Sequence, residues 1–314
     1  MKTKFFSTLL LLGLSLHAFG QSENQKSMQD WVYPYDVHKV QVADNLEIAY
    51  VDEGQGDETL LLVHGLGSYL KAWTKNIDAL RADYRCLALD LPGYGKSGKG
   101  DYAYSMTFFA DAIRDFIQKM ELDNVTLVGH SMGGQISMHV VLQEIPEIKK
   151  LVLVAPAGFE TFTEAERQWF NNIYNAAFIK ATPVEQIKRN FQVNFHEMPE
   201  DAQFMIEDRL YMRETVEYDA YCEMIPRCVQ GMLSEPVFER LSDISIPTLI
   251  LYGANDLLIP NKLLHAAQTT AQVAQSGHER IPDSELQMLD GCGHFIQWEC
   301  AEQVNEAIRV FVGK

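Results

Sequence analysis

A chain of 314 residues has room for one large domain, or one and a half. Its 47% hydrophobic and 22% charged content is ordinary for a soluble globular protein and excludes a disordered or multi-span membrane chain. The formal net charge of −17 argues against nucleic acid and against an anionic membrane surface as partners.

Residues 1–20 stand apart. Lys2 and Lys4 precede an apolar run over residues 5–16, and Ala18-Phe19-Gly20 offers a small-residue cleavage site before polar Gln21. This is the pattern of a secretory signal peptide, since a membrane span would need about 20 apolar residues. It predicts a periplasmic or secreted protein without stable membrane insertion. Residues 21–36 are polar but carry Trp31, Tyr33 and Tyr35. They are read as an N-terminal extension that clamps onto the domain surface.

Residues 37–42 and 46–51 flank Ala43-Asp44-Asn45, a hairpin pattern. The apolar run 59–63 is expected for a parallel strand covered on both faces, and it ends in His64-Gly65-Leu66-Gly67. A helix follows, with Trp73, Ile77 and Leu80 at helical spacing. Strand 84–89 runs into Asp90-Leu91-Pro92-Gly93-Tyr94-Gly95-Lys96-Ser97. The glycine spacing there does not meet the phosphate-loop pattern. Residues 108–120 form an amphipathic helix.

The β-branched run from Val125 stops at Gly129-His130-Ser131-Met132-Gly133-Gly134, and helical spacing resumes over residues 135–144. Strand, sharp turn and helix with a serine at the apex form the G-x-S-x-G nucleophile elbow. The turn forces the serine into a strained backbone region. It also crowds the positions two before and two after, where Gly129 and Gly133 carry no side chain. Strand 151–154 completes a β-α-β-α-β-α-β order, which predicts a parallel sheet with helices on both faces.

From residue 159 to 241 no strand pattern occurs. The segment is helical, rich in aromatics, and cut by Pro183, Pro199, Pro226 and Pro236. It leaves the strand edge where α/β sites lie, so it is read as a helical cap over the serine. Phe159, Phe162, Trp169 and Phe170 are taken as candidate pocket residues. The sheet resumes over residues 247–256. A helix is expected over 261–273, a polar loop over 274–283, a strand over 285–289 and a last helix over 299–312. The domain reading is therefore a core of residues 37–158 and 242–314 with a cap of residues 159–241.

Five cysteines leave at least one thiol unpaired in a monomer. Cys86 sits in a strand pattern and reads as a buried thiol. Cys222 with Cys228, or Cys292 with Cys300, could pair. No metal-ligand spacing occurs, and no metal or organic cofactor is expected.

Three groups follow strand ends in the order Ser131, Asp256, His294. All strand C-termini of a parallel sheet open on one edge, so the three can meet in one cleft. Asp256 could instead be a turn-forming residue, with Asp290 as the rival acid. The ordered motifs H-G-x-G, D-x-P-G-x-G-x-S, G-H-S-M-G-G, G-x-x-D and G-H-F over residues 37–312 resemble those of cap-bearing α/β-hydrolases. The resemblance implies Ser131 as nucleophile, His294 as base and Asp256 as the orienting acid. It also implies an oxyanion hole from the backbone N–H groups of Leu66 and Met132. A serine at the elbow departs from haloalkane dehalogenases and epoxide hydrolases, which place Asp there. The expected activity is hydrolysis of small to medium apolar esters. Alternatives on the same triad are a lactonase, a thioesterase, a carbon–carbon hydrolase and a cofactor-free haloperoxidase. The non-enzymatic alternative is a ligand-binding receptor. Oligomeric state is open.

Overall fold

The structure, a computed structural model, describes residues 25–313, so the signal-peptide reading lies outside the described residues. The first elements are β1 (His38–Ala43), β2 (Leu46–Glu53), β3 (Thr59–Val63), α1 (Thr74–Leu80) and β4 (Arg85–Leu89). Then come α2 (Met106–Lys119), β5 (Val125–His130), α3 (Met132–Val141) and β6 (Ile148–Val154). Five helices follow before the sheet resumes: α4 (Glu164–Ile173), α5 (Ala176–Ala181), α6 (Val184–Gln192), α7 (Gln203–Met212) and α8 (Tyr218–Ser234). The chain ends with β7 (Thr248–Gly253), α9 (Thr270–His278), β8 (Ser284–Leu289), α10 (Ile296–Glu299) and α11 (Ala301–Val312).

The eight strands form one sheet in the order β1-β2-β4-β3-β5-β6-β7-β8. Only the β1–β2 and β2–β4 pairings are antiparallel. Every residue of β3, β5 and β7 is buried, as continuous apolar strands covered on both faces should be. The edge strand β1 alternates exposed and half-buried residues. Ser105 caps α2 by accepting from the Phe108 N–H, and Phe109, Ile113, Phe116 and Ile117 pack its apolar stripe into the core. The stretch before β1 buries Met28, Trp31 and Tyr33.

Two expectations are corrected. Residues 261–269 are turns, and the helix lies later, at α9, running through what was read as loop. The Asn261 Oδ1 accepts from the Leu263 and Leu264 amides, a local turn that competes with helix. Thr269 and Gln272 then build a capping box that starts α9. Pro226 does not end a helix: it lies buried inside α8, which continues because one face packs into the core. The last helix, expected over 299–312, is α11, and a short α10 precedes it across Cys300. Cys300 is bonded to Cys292, while Cys86, Cys222 and Cys228 are buried free thiols.

Candidate active site

Ser131 stands between β5 and α3 with φ 53° and ψ −118°, a backbone region that side chains rarely adopt. Hydrogen bonds hold it there. Its N–H donates to the Val154 carbonyl at 3.0 Å, and its own carbonyl accepts from the amides of Gly134 at 2.9 Å and Ala157 at 3.0 Å. A Cβ on Gly129 would lie 2.4 Å from the Gly133 oxygen, and one on Gly133 would lie 2.4 Å from the Val63 oxygen. The elbow therefore closes only with glycine at both places.

Asp256 follows β7 and is buried. Its Oδ1 accepts from the amides of Leu258 at 2.7 Å and Ile259 at 3.0 Å. Its Oδ2 lies 2.7 Å from Nδ1 of His294, which follows β8 and is also buried. With a carboxylate accepting at Nδ1, that nitrogen carries the proton and Nε2 is left with its lone pair. Asp256 is thus both a turn former and the partner of His294, whereas Asp290 is exposed. The structure brings the His294 ring to within 4.9 Å of the ring of His130, the neighbour of Ser131. The His130 Nε2 donates to the His294 carbonyl at 3.1 Å. Burial, followed by repulsion from His294, depresses the His130 pKa well below 6.5, so this ring stays neutral.

The loop after β3 is held by His64, whose Nδ1 donates to the Gly65 carbonyl at 2.8 Å and whose Nε2 accepts from the Leu91 N–H at 3.0 Å. Among the described residues, none accepts from the amide of Leu66 or of Met132. Met132 opens α3, where the helix dipole favours negative charge.

A cavity of about 580 Å³ opens over these loops. Leu66, Leu258 and Phe295 supply its floor, and Tyr174, Phe191 and Tyr221 from the helices after β6 supply its walls. The four aromatics singled out from the sequence do not line it. Phe159 packs against Gly277 and Tyr252, Phe162 lies between Phe170 and His265, and Trp169 rests on Phe170. The correction has a positional cause. Residues 159–173 run along the side of the loop after β7, and the chain passes over the floor only from Tyr174 onward.

Sequence reasoning passed over three further residues. The Arg209 Nη2 donates to the Gly67 carbonyl, and its guanidinium lies over the rings of Tyr221 at 4.9 Å and Phe191 at 5.3 Å. It lines the cavity and forms no ion pair among the described residues, because neighbouring Asp208 pairs with Lys71. The Asn194 carbonyl accepts from the amides of His294 at 2.7 Å and Phe295 at 2.9 Å. The Glu299 carboxylate accepts from Gly293 and Glu197, both at 2.7 Å, and from His196 at 3.1 Å. The one basic residue among the aromatic and acidic side chains of α7 was the available signal for Arg209; backbone contacts such as those of Asn194 leave none. Among the described residues, no group of three or more His, Cys, Asp or Glu side chains is arranged to hold a metal ion.

A sequence model of the alpha/beta hydrolase fold matches residues 58–301, most of the chain. The chain belongs to the alpha/beta hydrolase fold family. Among curated relatives, the 2-hydroxy-6-oxononadienedioate/2-hydroxy-6-oxononatrienedioate hydrolase of Escherichia coli is 29% identical over 278 residues, covering 86% of this chain and 92% of that protein. The dihydrolipoyllysine-residue acetyltransferase component of the acetoin cleaving system of Cupriavidus necator is 26% identical over 275 residues. That match covers 86% of this chain, which spans about two thirds (67%) of that protein's length. Among solved structures, an esterase from Exiguobacterium antarcticum superposes with a TM-score of 0.73 at 23% identity, covering 88% of this chain and 99% of that one. The protein is an alpha/beta hydrolase with five helices inserted between β6 and β7.

Proposed function

We propose that this hydrolase cleaves carboxylic esters of small to medium apolar substrates through an acyl-enzyme on Ser131. The observation that carries the reading is the buried 2.7 Å contact between Asp256 Oδ2 and His294 Nδ1, with the His294 ring 4.9 Å from that of His130, the residue before the strained serine. In this mechanism the Ser131 Oγ attacks the ester carbonyl while His294 Nε2 takes its proton. Asp256 steadies the imidazolium. The N–H groups of Leu66 and Met132 donate to the oxyanion. The alcohol leaves with the proton from His294. Water, deprotonated by the same nitrogen, then releases the acid. The aromatic walls of the cavity suit an apolar acyl or alcohol portion.

The test is turnover of p-nitrophenyl acetate and butyrate by wild type and by Ser131→Ala, with covalent labelling by a fluorophosphonate. Turnover and labelling that both vanish in the variant are expected. A wild type that neither turns over the esters nor takes the label would sink the proposal.

One observation favours a second reading, hydrolysis of a carbon–carbon bond in an acidic substrate. Arg209 places an uncompensated cation in the cavity wall, and a guanidinium recognises carboxylate by paired hydrogen bonds. The Escherichia coli relative is named for the hydrolysis of such a dioate. Comparing turnover of a neutral ester with that of a vinylogous keto acid cleaved at a carbon–carbon bond, in wild type and Arg209→Ala, separates the two. Export to a periplasm or beyond remains part of the proposal. The mass of the protein recovered outside the cytoplasm tests it by showing whether residues 1–20 are removed.

A further inference from the structure

The stretch before β1 does more than cover core surface. Trp31 stacks on Tyr69 with ring centroids 4.8 Å apart, and Tyr33 lies 5.7 Å from the same ring. Tyr69 directly follows the Gly65–Ser68 turn, which is closed by the Ser68 N–H to the Gly65 carbonyl. The Tyr33 hydroxyl donates at 2.7 Å to Asp90, a buried carboxylate. The other oxygen of Asp90 accepts from the Leu70 N–H at 2.8 Å. The extension therefore grips the loop carrying Leu66 and Gly67 at its downstream end, as His64 grips its upstream end.

Its other end holds the inserted helices. The Val216 N–H donates to the Lys26 carbonyl, and Lys26 pairs with Glu214. Glu217 accepts from the Ser27 hydroxyl at 2.5 Å and the Met28 N–H at 3.2 Å. Glu217 is the residue before α8, whose Tyr218, Tyr221 and Ile225 line the cavity. One segment thus touches the floor loop and a wall helix of the same cavity. A small void of about 20 Å³ is bounded by Trp31, Gly67, Tyr69 and Arg209, among others. The Trp31 Nε1 has no hydrogen-bond partner among the described residues, so the residue acts through its ring.

We infer that residues 26–33 are a working strap of the active site, with Trp31 and Tyr33 as positioning residues that hold the Leu66 amide in place. The inference rests on the reading of that amide as an oxyanion donor. A residue that only stabilised the fold would lower the melting temperature and leave the rate of folded enzyme unchanged. A positioning residue changes the rate, because displacing a donor by a fraction of an ångström weakens the transition state far more than the ground state.

The test compares wild type, Trp31→Ala, Trp31→Phe and Tyr33→Phe, with Val32→Asp as a control at a side chain that is 81% exposed. Two readouts are taken at a temperature where all are folded. For p-nitrophenyl acetate, too small to need the cavity walls, Trp31→Ala is expected to lower kcat by about tenfold or more, with KM changed less than about twofold. Amide hydrogen exchange over residues 64–72 is expected to quicken by about fivefold or more. Trp31→Phe keeps a ring on Tyr69 and is expected to restore most of both. Tyr33→Phe gives a smaller change in the same direction and carries the test if Trp31→Ala does not fold. Unchanged exchange over residues 64–72 overturns the strap, and so does an unchanged kcat in a fully active wild type. If the wild type proves inactive and refuses the fluorophosphonate, the esterase reading fails instead, and hydrogen exchange alone decides the strap.

Discussion

The sheet and the inserted helices are built on different terms. Each residue of β3, β5 and β7 is buried, while α4 and α5 bury none of theirs and α6 buries only Ile187. Within the insertion itself α7 buries three residues and α8 nine, the latter facing the core and the strap. Groups that need sub-ångström placement stand on strand ends, where packing removes alternatives. The walls that face a variable substrate stand partly on helices with little packing to lose, α5 and α6, and partly on the anchored α8. The insertion nonetheless reaches into the chemistry at two points, through Asn194 and through the peptide bonded to Glu299, both at the His294 loop.

The largest effects should come from the strand ends. Ser131→Ala is expected to lower ester turnover by about 10⁴-fold or more, and Asp256→Asn by about 10⁴-fold, since the amide leaves the imidazole in the wrong tautomer. Both variants should bind a product acid as wild type does, which calorimetry would check. A residual rate near wild type in Asp256→Asn would move the acid role elsewhere and undo the contrast at its root.

Stability should divide the molecule the same way. Leu62→Ala, in a fully buried strand, is expected to cost about 2–5 kcal/mol in denaturant unfolding. Phe178→Ala, in α5 and 48% exposed, should stay within about 0.5 kcal/mol yet raise KM for p-nitrophenyl butyrate more than for the acetate. A large stability loss at Phe178 would mean that the insertion is packed like the core. Reducing Cys292–Cys300, which closes an eight-residue separation next to His294, should cost about 2 kcal/mol. Activity should fall before the sheet unfolds, because Glu299 and the His294 loop loosen first.

The strands and the strand-end residues were legible because their signals are local. An apolar run ending in Gly129 to Gly134, or a hairpin at Asp44-Asn45, states its own geometry in a few residues. The helical character of the insertion was equally plain. Its pocket was not, because which aromatic faces the floor depends on how α5 to α8 cross the sheet edge, and no short pattern encodes that crossing. Phe162 and Tyr174 look alike in sequence; one packs beside His265 and the other lines the cavity. Asn261 and Thr269 show the opposite failure. Asn as a turn former and Thr as an N-cap are residue types that favour a turn followed by a helix start, which the expectation of one helix over residues 261–273 did not include.

The smallest predicted effect uses one residue type to read both regions. His64 and His130 lie under the site loops, and burial lowers both pKa values below 6.5. The unfolded chain then binds more protons than the native one below about pH 6.5, so these two make stability fall as the medium is acidified. His265 sits between the loop after β7 and the start of the insertion, with Nδ1 bonded to Glu160 and Nε2 3.2 Å from Glu166. Partial burial opposes its charge, but the hydrogen bond to Glu160 and the charges of Glu160 and Glu166 outweigh this and raise its pKa above 6.5. Its contribution is complete below pH 6.5 and is lost as pH rises through the folded value, the reverse of the core pair. Lys262 on the same loop tempers the Glu160 charge, which keeps the effect modest. His265→Gln should therefore lower stability below about pH 6.5, with the deficit fading as pH rises through the folded value and no change on the alkaline side. A loss of equal size at acid and alkaline pH would mean that the latch between α4 and the loop after β7 is not held by charge.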